Sequence, residues 1–345
     1  MTNVKDVVYL GAFPPPYGGV TIKNSMLYME LSKHKNVYII ELSKVKKINL
    51  HEIFKFLTAL FFQKKIFIVG ASGSWRKKIT YLLYFFNRKS LKNSILIVMG
   101  GTSAKNISKD ATYLKMVSNY KKVYVEADGM KNELVKVGLS NVSIFPNCRN
   151  EKNTKVKINY PDQNKMKCVY FSLISKEKGA DIIFETVKIL AKKNIQFEVD
   201  FFGAIEKSYQ EEFEQQTSLY NNINYCGIFK TDIADVYTKL NEYDLLLFPT
   251  RWKNEGVPGV LVESKIAALP AIVSDINFNA EIIHNGIDGI VLKHNNPAEM
   301  AVAIERLYND KDYLFKLKKN AYESRSKYLL ENYIDEIVNE LVYQS

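Results

Sequence analysis

Short apolar runs alternate with amphipathic helical stretches from one end of the chain to the other. The runs are rich in Val, Ile and aromatic residues and are bounded by Gly, Ser, Asn or Lys, as is typical of buried parallel strands. Strands that alternate with helices predict parallel α/β sheets with right-handed crossovers. The predicted strands are Val7–Phe13, Val37–Leu42, Ile66–Ala71, Ile95–Met99, Val123–Glu126, Val142–Phe145, Cys168–Leu173, Phe197–Phe202, Ile223–Tyr225, Leu245–Phe248, Ala271–Val273 and Ile290–Leu292.

A chain of 345 residues is long enough for two domains of ordinary size. The polar stretch Arg149–Lys165 has the composition of a linker and follows the predicted strand Val142–Phe145. We therefore predict two doubly wound, Rossmann-like domains that face each other across a cleft. The predicted parts are a first domain at 1–150, a linker at 151–165, a second domain at 166–325, and a C-terminal helix at 326–345 that could pack back on the first domain.

The net charge of +11 is unevenly distributed. Residues 1–150 carry 24 Lys and Arg against 8 Asp and Glu, whereas residues 151–345 carry 24 against 29. Only the first half should therefore attract an anionic partner. Residues 44–92 concentrate this pattern, with 12 basic residues, the single acidic residue Glu52, and many interleaved aromatic side chains.

Two explanations fit residues 44–92. Basic residues beside apolar helical stripes suit peripheral contact with an anionic membrane. The same stripes are also expected of core helices that carry solvated lysines. Nucleic-acid binding is not predicted, because no known nucleic-acid-binding module is present.

Cysteine and histidine usage argues against structural metals and disulfides. Cys148, Cys168 and Cys226 are widely spaced, which favours a reducing compartment. The four histidines have no metal-ligand spacing. The opening Met1–Phe13 lacks a basic segment typical of secretory signals, and the longest apolar run, Phe56–Phe62, is far shorter than the ~20 residues of a spanning helix. We expect a cytoplasmic protein, which could lie on the inner face of the membrane.

Ligands of open α/β sheets bind beyond the carboxyl ends of the strands. Two predicted loops there contain paired glycines, Gly18-Gly19 after the first strand and Gly100-Gly101 after the fourth, which permit close backbone approach to a ligand. A tight turn explains both pairs equally well. After the first strand of the second domain, Lys178 precedes Gly179, an arrangement that can bring an ammonium and a helix N-terminus onto one phosphate.

The loop after Leu245–Phe248 is the most informative. It contains Glu255 in a Gly-rich segment, then Pro258, which fits the first turn of a helix, then Glu263 inside that helix. A carboxylate on the apolar side of a helix needs hydrogen-bond donors, and sugar hydroxyls are suitable donors. The alternative is that Glu255 caps the helix and Glu263 is exposed. A further polar turn, Ser274–Asn277, is expected only to shape the rim of the site.

At this loop the sequence resembles the retaining glycosyltransferases of family 4, which have the GT-B fold. The resemblance rests on two glutamates eight positions apart, Glu255 and Glu263, in an E-G-x-P-x-x-x-x-E frame. It is supported by the family-like segments Glu177-Lys178-Gly179, Asn224–Gly227, Pro270–Ser274, Glu281–Gly286 and Pro146-Asn147. It covers nearly all of the second domain, while the first domain matches only through Gly18-Gly19 and its strand order.

The resemblance implies transfer of a sugar from a UDP-linked nucleotide sugar to a lipid-linked glycan acceptor, with retention and without a metal or cofactor. It implies catalytic roles for Glu255 and Lys178. Glu255 would contact sugar hydroxyls, Glu263 would hold the ribose, and Lys178 would neutralise the leaving diphosphate. The implied donor site comprises Gly19, Lys178, Gly227, Arg251, Glu255, Gly256, Val257, Pro258, Gly259 and Glu263, and the implied acceptor site comprises Gly18, Gly100 and Gly101.

Two departures from the family pattern are consistent with a second functional interpretation. The family usually has an arginine five residues before the lysine, and this chain has Leu173 there. Many relatives have a histidine after the fourth strand, where this chain has Gly100-Gly101. The alternative is a catalytically silent GT-B protein that binds a nucleotide sugar or supports a partner transferase. An epimerase or a phosphorylase is disfavoured, because no cofactor-lysine motif is recognisable.

Overall fold

The computed structural model of the chain describes residues 7–15, 18–62, 65–151, 156–193, 195–230 and 235–343. Pro16 and Tyr17 of the first predicted loop and residues 152–155 of the predicted linker lie outside the described residues. The chain divides into two compact units. Unit 1 is formed by residues 1–150, 254–257 and 328–345, and unit 2 by residues 151–253 and 258–327.

Unit 1 contains a sheet of six strands in the order β2-β1-β3-β4-β5-β6, and every pair of neighbours is parallel. Buried Val, Ile and Leu side chains explain why the four inner segments form central strands, since the inner part of a parallel sheet is covered on both faces. The strands are β1 (Val7–Gly11), β2 (Val37–Glu41), β3 (Ile66–Gly70), β4 (Ile95–Val98), β5 (Lys122–Val125) and β6 (Val142–Ile144).

Helices connect these strands and supply the layers that cover the sheet. They are α1 (Gly19–Leu31), α2 (Leu42–Lys46), α3 (Leu50–Phe62), α4 (Gly73–Phe86), α5 (Arg88–Leu91), α6 (Ser103–Ser108), α7 (Ala111–Val117) and α8 (Asp128–Lys136). The last helix of the chain, α16 (Glu331–Glu340), also belongs to unit 1. Its Ile334 and Ile337 are buried in one core cluster with Tyr9, Leu27 and Phe145. Each such aliphatic side chain contributes roughly 1.5–3 kcal/mol by leaving water.

Unit 2 contains a second parallel sheet of six strands, in the order β12-β11-β10-β7-β8-β9. Its strands are β7 (Met166–Phe171), β8 (Phe197–Phe202), β9 (Ile223–Tyr225), β10 (Leu245–Phe248), β11 (Ala271–Ser274) and β12 (Gly289–Leu292). Its helices are α9 (Ala180–Leu190), α10 (Gln210–Ser218), α11 (Val236–Asn241), α12 (Gly259–Ile266), α13 (Asn279–Ile282), α14 (Pro297–Asn309) and α15 (Lys311–Ser324), followed by a 3-10 turn at Arg325–Tyr328.

The core of unit 2 is rich in aromatic rings. Phe184 on α9 stacks on Phe201 of β8 with centroids 5.4 Å apart, and Phe213 of α10 packs edge-on against both rings. Such pairs stabilise a core by ~0.5–1.5 kcal/mol beyond the area that they bury. They fix α9, whose first residues follow the candidate site, firmly against the sheet.

The predicted fold class is confirmed: the described residues form two doubly wound parallel α/β sheets. All twelve predicted strands are present among the described residues, with boundaries that differ by no more than two residues. The three cysteines are unpaired, two of them buried. Within the described segments, no helix combines the length and the apolar character needed to cross a bilayer.

Candidate functional site

The strand order of unit 2 reverses between β7 and β10. From β7 the chain proceeds outward through β8 and β9 on one side, while β10 to β12 extend the sheet on the other. The carboxyl ends of β7 and β10 are therefore the edges of a topological switch point, where α/β sheets bind ligands. The loops after these two strands are the ones that carry Lys178 and the Glu255 segment.

Gly179 ends the loop after β7 and caps helix α9. Its φ of +82° lies in the left-handed region, and a Cβ there would stand 2.2 Å from the Pro249 carbonyl oxygen. Only glycine fits this place without strain. The close approach brings the N-terminus of α9 against the loop after β10.

Lys178 lies beside this contact and is half-buried. Its Nζ atom is 6.0 Å from the ring centroid of Phe248 and 5.8 Å from that of Trp252. The lysine ammonium and the N-terminus of α9 therefore lie next to the carboxyl end of β10. Both favour an anion such as a phosphate.

The turn after β11 holds the loop after β10 from the other side. The buried Ser274 donates its hydroxyl to the Thr250 carbonyl at 2.6 Å, and the side-chain amide of Asn277 donates to the Trp252 carbonyl at 2.9 Å. Asn295 donates to the Pro249 carbonyl at 3.2 Å. The polar turn Ser274–Asn277 thus supports the candidate site through backbone hydrogen bonds.

Arg251 lies in this loop with its guanidinium already engaged. One guanidinium nitrogen is 2.5 Å from a carboxylate oxygen of Asp181 in the first turn of α9, and the group also donates to the Lys176 carbonyl. A phosphate would have to share this guanidinium with Asp181. Leu173, which stands where the family has an arginine, exposes 45% of its surface, so the apolar replacement is not explained by packing.

Residues 254–257 belong to unit 1, although they follow β10 of unit 2 in the sequence. A Cβ on Gly101 would stand 2.0 Å from the Glu255 carbonyl oxygen, so the backbone of Glu255 rests directly on Gly101. The ideal Cβ position of Gly256 is 3.1 Å from a carboxylate oxygen of Glu126. The Val257 carbonyl accepts a 2.8 Å hydrogen bond from the buried side chain of Asn147. Unit 1 therefore fixes the backbone of this segment at each of its last three residues.

A buried ion pair lies under this segment. Lys23 on α1 donates from Nζ to Oε1 of Glu126 at 3.1 Å and to the Phe145 carbonyl at 2.9 Å, and both charged side chains are almost fully buried. Oε2 of Glu126 accepts from the Gly100 N–H at 3.3 Å. The sequence pattern did not reveal this network, because the two partners are separated by 103 positions. The only signal was a glutamate at the end of a predicted central strand.

Helix α12 carries the second glutamate of the frame. The prediction that Pro258 lies in the first turn is wrong by one position: Pro258 is the N-cap, with φ −64° and ψ 126°, and the helix begins at Gly259. The extended ψ of Pro258 lies outside the helical range, although its ring fixes a φ that a helix would accept. Glu263 is the fifth residue of α12 and is half-buried, as is Glu255. Both glutamates take part in interactions within the protein.

Gly18-Gly19 lie at the switch point of the first sheet, where the order reverses between β1 and β3. Helix α1 begins at Gly19, and Gly18 is its N-cap. The hydroxyl of Thr21 accepts from the Gly18 N–H at 3.0 Å, which closes the first turn early. A Cβ on either glycine would meet no atom within 4 Å.

Gly227 follows β9, and its carbonyl accepts a 2.9 Å hydrogen bond from the Gly203 N–H after β8. A Cβ on Gly227 would meet no atom within 4 Å, so its surface is open.

The described residues contain no group of three or more His, Cys, Asp and Glu side chains that could hold a metal ion. The described ranges thus place Lys178, Gly179 and Arg251 together in unit 2, and Gly100, Gly101, Glu255 and Gly256 together in unit 1.

In a comparison with known proteins, the matching family model covers the part of the chain that forms unit 2. Residues 151–324 match the family described as glycosyl transferases group 1. Two curated relatives are the capsular polysaccharide biosynthesis glycosyltransferase CapH of Staphylococcus aureus, 23% identical over 88% of this chain and 81% of that protein, and the UDP-Gal:alpha-D-GlcNAc-diphosphoundecaprenol alpha-1,3-galactosyltransferase of Escherichia coli, 24% identical over 55% of this chain and 48% of that enzyme. Three other curated relatives are matched over 66%, 47% and 36% of their own lengths.

A solved structure of similar fold is Anabaena Alr3699/HepE in complex with UDP. It superposes with a TM-score of 0.72 at 15% identity, over 98% of this chain and 99% of that one. The likeness shows that the chain has the GT-B fold.

Proposed function

Because this chain belongs to the glycosyl transferases group 1 family, we propose that it transfers a sugar from a nucleoside-diphosphate sugar to a glycan acceptor, with retention of the anomeric configuration. The observation that carries the proposal is the switch point of unit 2, where Lys178 and the capped N-terminus of α9 meet the loop after β10. An ammonium and a helix N-terminus at a strand edge suit a diphosphate.

In this proposal the donor diphosphate binds to Lys178 and to the N-terminal N–H groups of α9 and α12. The first turn of any helix leaves N–H groups without intrahelical acceptors, and these groups neutralise negative charge. Glu263 holds the ribose, and Gly227 lies near the base. Arg251 contributes once a phosphate competes with Asp181. The complex of HepE with UDP supports UDP as the nucleotide.

Glu255 contacts hydroxyls of the donor sugar, and the backbone of Gly256 to Gly259 lies beside the sugar and phosphate. The bond between the anomeric carbon and the diphosphate breaks, and the nucleoside diphosphate leaves with the electron pair. The acceptor hydroxyl oxygen forms the new C–O bond, and its proton passes to the departing diphosphate or to water. Catalysis is then electrostatic stabilisation of the leaving group together with positioning of the acceptor. The fixed backbone of residues 254–257 supports this role, because a misplaced sugar reacts slowly.

The proposed acceptor is a lipid-linked glycan of bacterial surface polysaccharide assembly, bound through Gly18 and the Gly100-Gly101 turn in the cytoplasm. The capsular role in the name of CapH and the diphosphoundecaprenol acceptor in the name of the Escherichia coli enzyme support this substrate class. The contact of Gly101 with the Glu255 carbonyl occupies one side of that turn, so the acceptor would meet Gly100 or the exposed Gly18.

The experiment is release of nucleoside diphosphate from a panel of UDP-sugars with a diphosphoundecaprenol-linked acceptor. Lys178→Ala should lower kcat roughly 10²- to 10³-fold, as removal of one electrostatic stabiliser does elsewhere. The matched control is Lys188→Ala, which removes an exposed lysine from α9, the helix that follows Lys178, and should leave the rate unchanged. Glu255→Gln should act like Lys178→Ala. An equal rate in Lys178→Ala and Lys188→Ala would refute the assignment.

We also propose that no metal ion takes part, because the helix N-termini and Lys178 supply positive charge where the diphosphate binds. Turnover should therefore persist after dialysis against EDTA. Loss of turnover with EDTA and its recovery with Mg²⁺ or Mn²⁺ would contradict this.

The second candidate is a catalytically silent protein that binds a nucleotide sugar. The exposed Leu173 and the Asp181 carboxylate on Arg251 favour it, because both reduce the positive charge available to a leaving diphosphate. It predicts that a UDP-sugar raises the melting temperature, since ligands stabilise the state that they bind, while no acceptor gives turnover. Turnover by the wild-type chain would exclude it.

A further inference from the structure

Helix α3 has two apolar faces. Phe56, Ala59 and Leu60 are buried and pack the helix onto unit 1. Leu50, Phe54, Leu57 and Phe61, spaced four, three and four residues apart, form a second stripe along the helix, and they expose 79%, 67%, 42% and 41% of their surface. A surface helix of a monomeric protein normally carries polar residues on that face.

The stripe continues onto the neighbouring helix. The ring of Phe61 packs edge-on against Phe86 at the end of α4, with centroids 5.1 Å apart, and Phe85 and Phe86 are 65% and 60% exposed. The amide of Asn87 donates to the Leu60 carbonyl at 2.8 Å, which fixes the two helix ends together. The apolar surface is therefore continuous from Leu50 to Phe86. Contiguous exposed apolar surface of this kind marks an interaction site. We call these five residues the α3–α4 patch: Leu50, Phe54, Leu57, Phe61 and Phe86.

Exposed cations lie at both ends of the α3–α4 patch. Lys44, Lys46 and Lys47 precede α3, and Arg88, Lys89 and Lys92 follow α4. Among the described residues of 44–92, the single carboxylate is Glu52, which is 8% exposed and paired with Lys55. Glu41, just before this segment, forms an ion pair with Lys44 at 2.8 Å. The surface around the patch is still positive overall, because the cations outnumber these two carboxylates.

We propose that the α3–α4 patch inserts into an anionic lipid bilayer and that the two cation groups bind the lipid headgroups. An apolar stripe flanked by lysine and arginine is the arrangement by which amphipathic helices lie in the interfacial region of membranes. The charge pattern favours an anionic bilayer over a protein as the partner of this patch. A second copy of the chain on the same patch would bring two positive rims together, and an acidic protein partner would need no inserted phenylalanines.

The topology gives the direction of the α3–α4 patch relative to the sheet of unit 1. Because β2 and β3 are parallel and α3 connects them, α3 runs opposite to the strands. Leu50 and the preceding lysines therefore lie towards the carboxyl edge of the sheet, the same edge that carries Gly18-Gly19. Phe61 and Phe86, at the other ends of α3 and α4, lie towards the amino edge. The bound chain would therefore lay the length of α3 along the lipid surface.

The test is flotation of the full chain with vesicles of phosphatidylcholine alone and of equal parts phosphatidylcholine and phosphatidylglycerol. Binding is expected only with phosphatidylglycerol and should weaken as salt is raised, because salt screens the headgroup attraction. This assay contains no donor or acceptor. A negative flotation result would therefore not contradict the proposed transferase activity. Absence of transferase activity would likewise not contradict a positive flotation result.

Two pairs of variants separate the apolar and charge contributions. Phe54→Ser with Leu57→Ser should reduce vesicle binding at least about tenfold, because two side chains no longer leave water. Its control is Leu219→Ser with Ile287→Ser, which removes equally exposed apolar residues of unit 2. Lys46→Glu should weaken binding by more than about fivefold, the value of one surface cation, whereas Lys136→Glu, with the same charge change on α8, should have a smaller effect.

The substituted side chains of the α3–α4 patch are exposed, so the variants should fold, and their melting temperatures check this. Absence of binding to phosphatidylglycerol vesicles at low salt would overturn the proposal. So would equal binding by the Phe54/Leu57 variant and the wild type. A dimer in ultracentrifugation that the Phe54/Leu57 variant dissociates, without vesicle binding, would assign the patch to a second copy instead.

Discussion

Replacement of Glu126 by glutamine should destabilise unit 1, because both carboxylate oxygens of Glu126 accept hydrogen bonds. Oε1 accepts from the Lys23 ammonium at 3.1 Å and Oε2 from the Gly100 N–H at 3.3 Å. Glutamine offers one acceptor oxygen and one NH₂ group, so one of these donors must face another donor. The Lys23 ammonium also loses its counter-charge while it stays buried.

Removal of one partner from a buried ion pair costs about 3–5 kcal/mol. That is a large part of the ~5–15 kcal/mol that stabilises an ordinary domain. With a urea dependence of about 1–3 kcal/mol per molar, the unfolding midpoint of unit 1 should fall by ~1–5 M. Glu30→Gln is the control, since it disrupts an exposed pair with Lys33 in the same unit and should leave the midpoint nearly unchanged.

The assay is urea unfolding followed by tryptophan fluorescence. The sequence contains two tryptophans, Trp75 in unit 1 and Trp252 in unit 2. In a Trp252→Phe background the emission therefore reports unit 1 alone, which avoids treating a two-unit protein as one transition. The double variant Lys23→Met/Glu126→Gln should be more stable than the sum of its single changes predicts, because the orphaned charge is gone.

Two results would refute this reasoning. One is a midpoint for Glu126→Gln that matches Glu30→Gln. The other is full additivity of Lys23→Met and Glu126→Gln, which would show that the two side chains do not interact energetically.

Two further predictions follow from contacts in each unit. Gly101→Ala places a Cβ 2.0 Å from the Glu255 carbonyl oxygen, so the 254–257 segment must move, and kcat should fall about 10²-fold in the nucleotide-release assay; an unchanged kcat would show that the segment tolerates displacement. In unit 2, burial would raise the pKa of Asp288, but the Lys265 ammonium at 2.6 Å and hydrogen bonds from His284 outweigh it and hold the pKa below its usual value. A depressed carboxyl pKa stabilises the folded state above the unfolded value, near 4, and that contribution is lost as the pH falls through the folded pKa. Unfolding of unit 2, followed by Trp252 in a Trp75→Phe background from about pH 6 to about pH 3, should therefore lose stability steeply in the wild type and less steeply in Asp288→Asn; parallel curves would contradict the prediction.

Strands were the most predictable part of the fold. A parallel strand covered on both faces must be apolar along its whole length, so a run such as Leu245–Phe248 is visible in the sequence alone. The ends of helices were less predictable from the sequence, because they depend on capping contacts. Helix α1 begins at Gly19 through a contact between Thr21 and Gly18 that periodicity cannot show.

The candidate site was predictable in its local motifs and not in its long-range contacts. Lys178-Gly179 could be assigned to a helix start from two adjacent residues, and Gly179 does cap α9. The pairing of Arg251 with Asp181, 70 positions away, and the contact of Gly101 with Glu255 arise only from the folded chain. The catalytic and binding roles of these residues remain predictions that the assays above decide.

Unit 1 is assembled from three separate stretches of the sequence, and this restricts how such proteins can be recombined. A chimera joined after residue 150 would receive Gly101, Glu126 and Asn147 from one parent and residues 254–257 from the other. The new tetrapeptide would then have to match a foreign glycine contact and a foreign amide donor. Exchange of acceptor specificity between homologues should therefore succeed more often when the tetrapeptide and the last 18 residues, 328–345, are transplanted together with the amino-terminal segment.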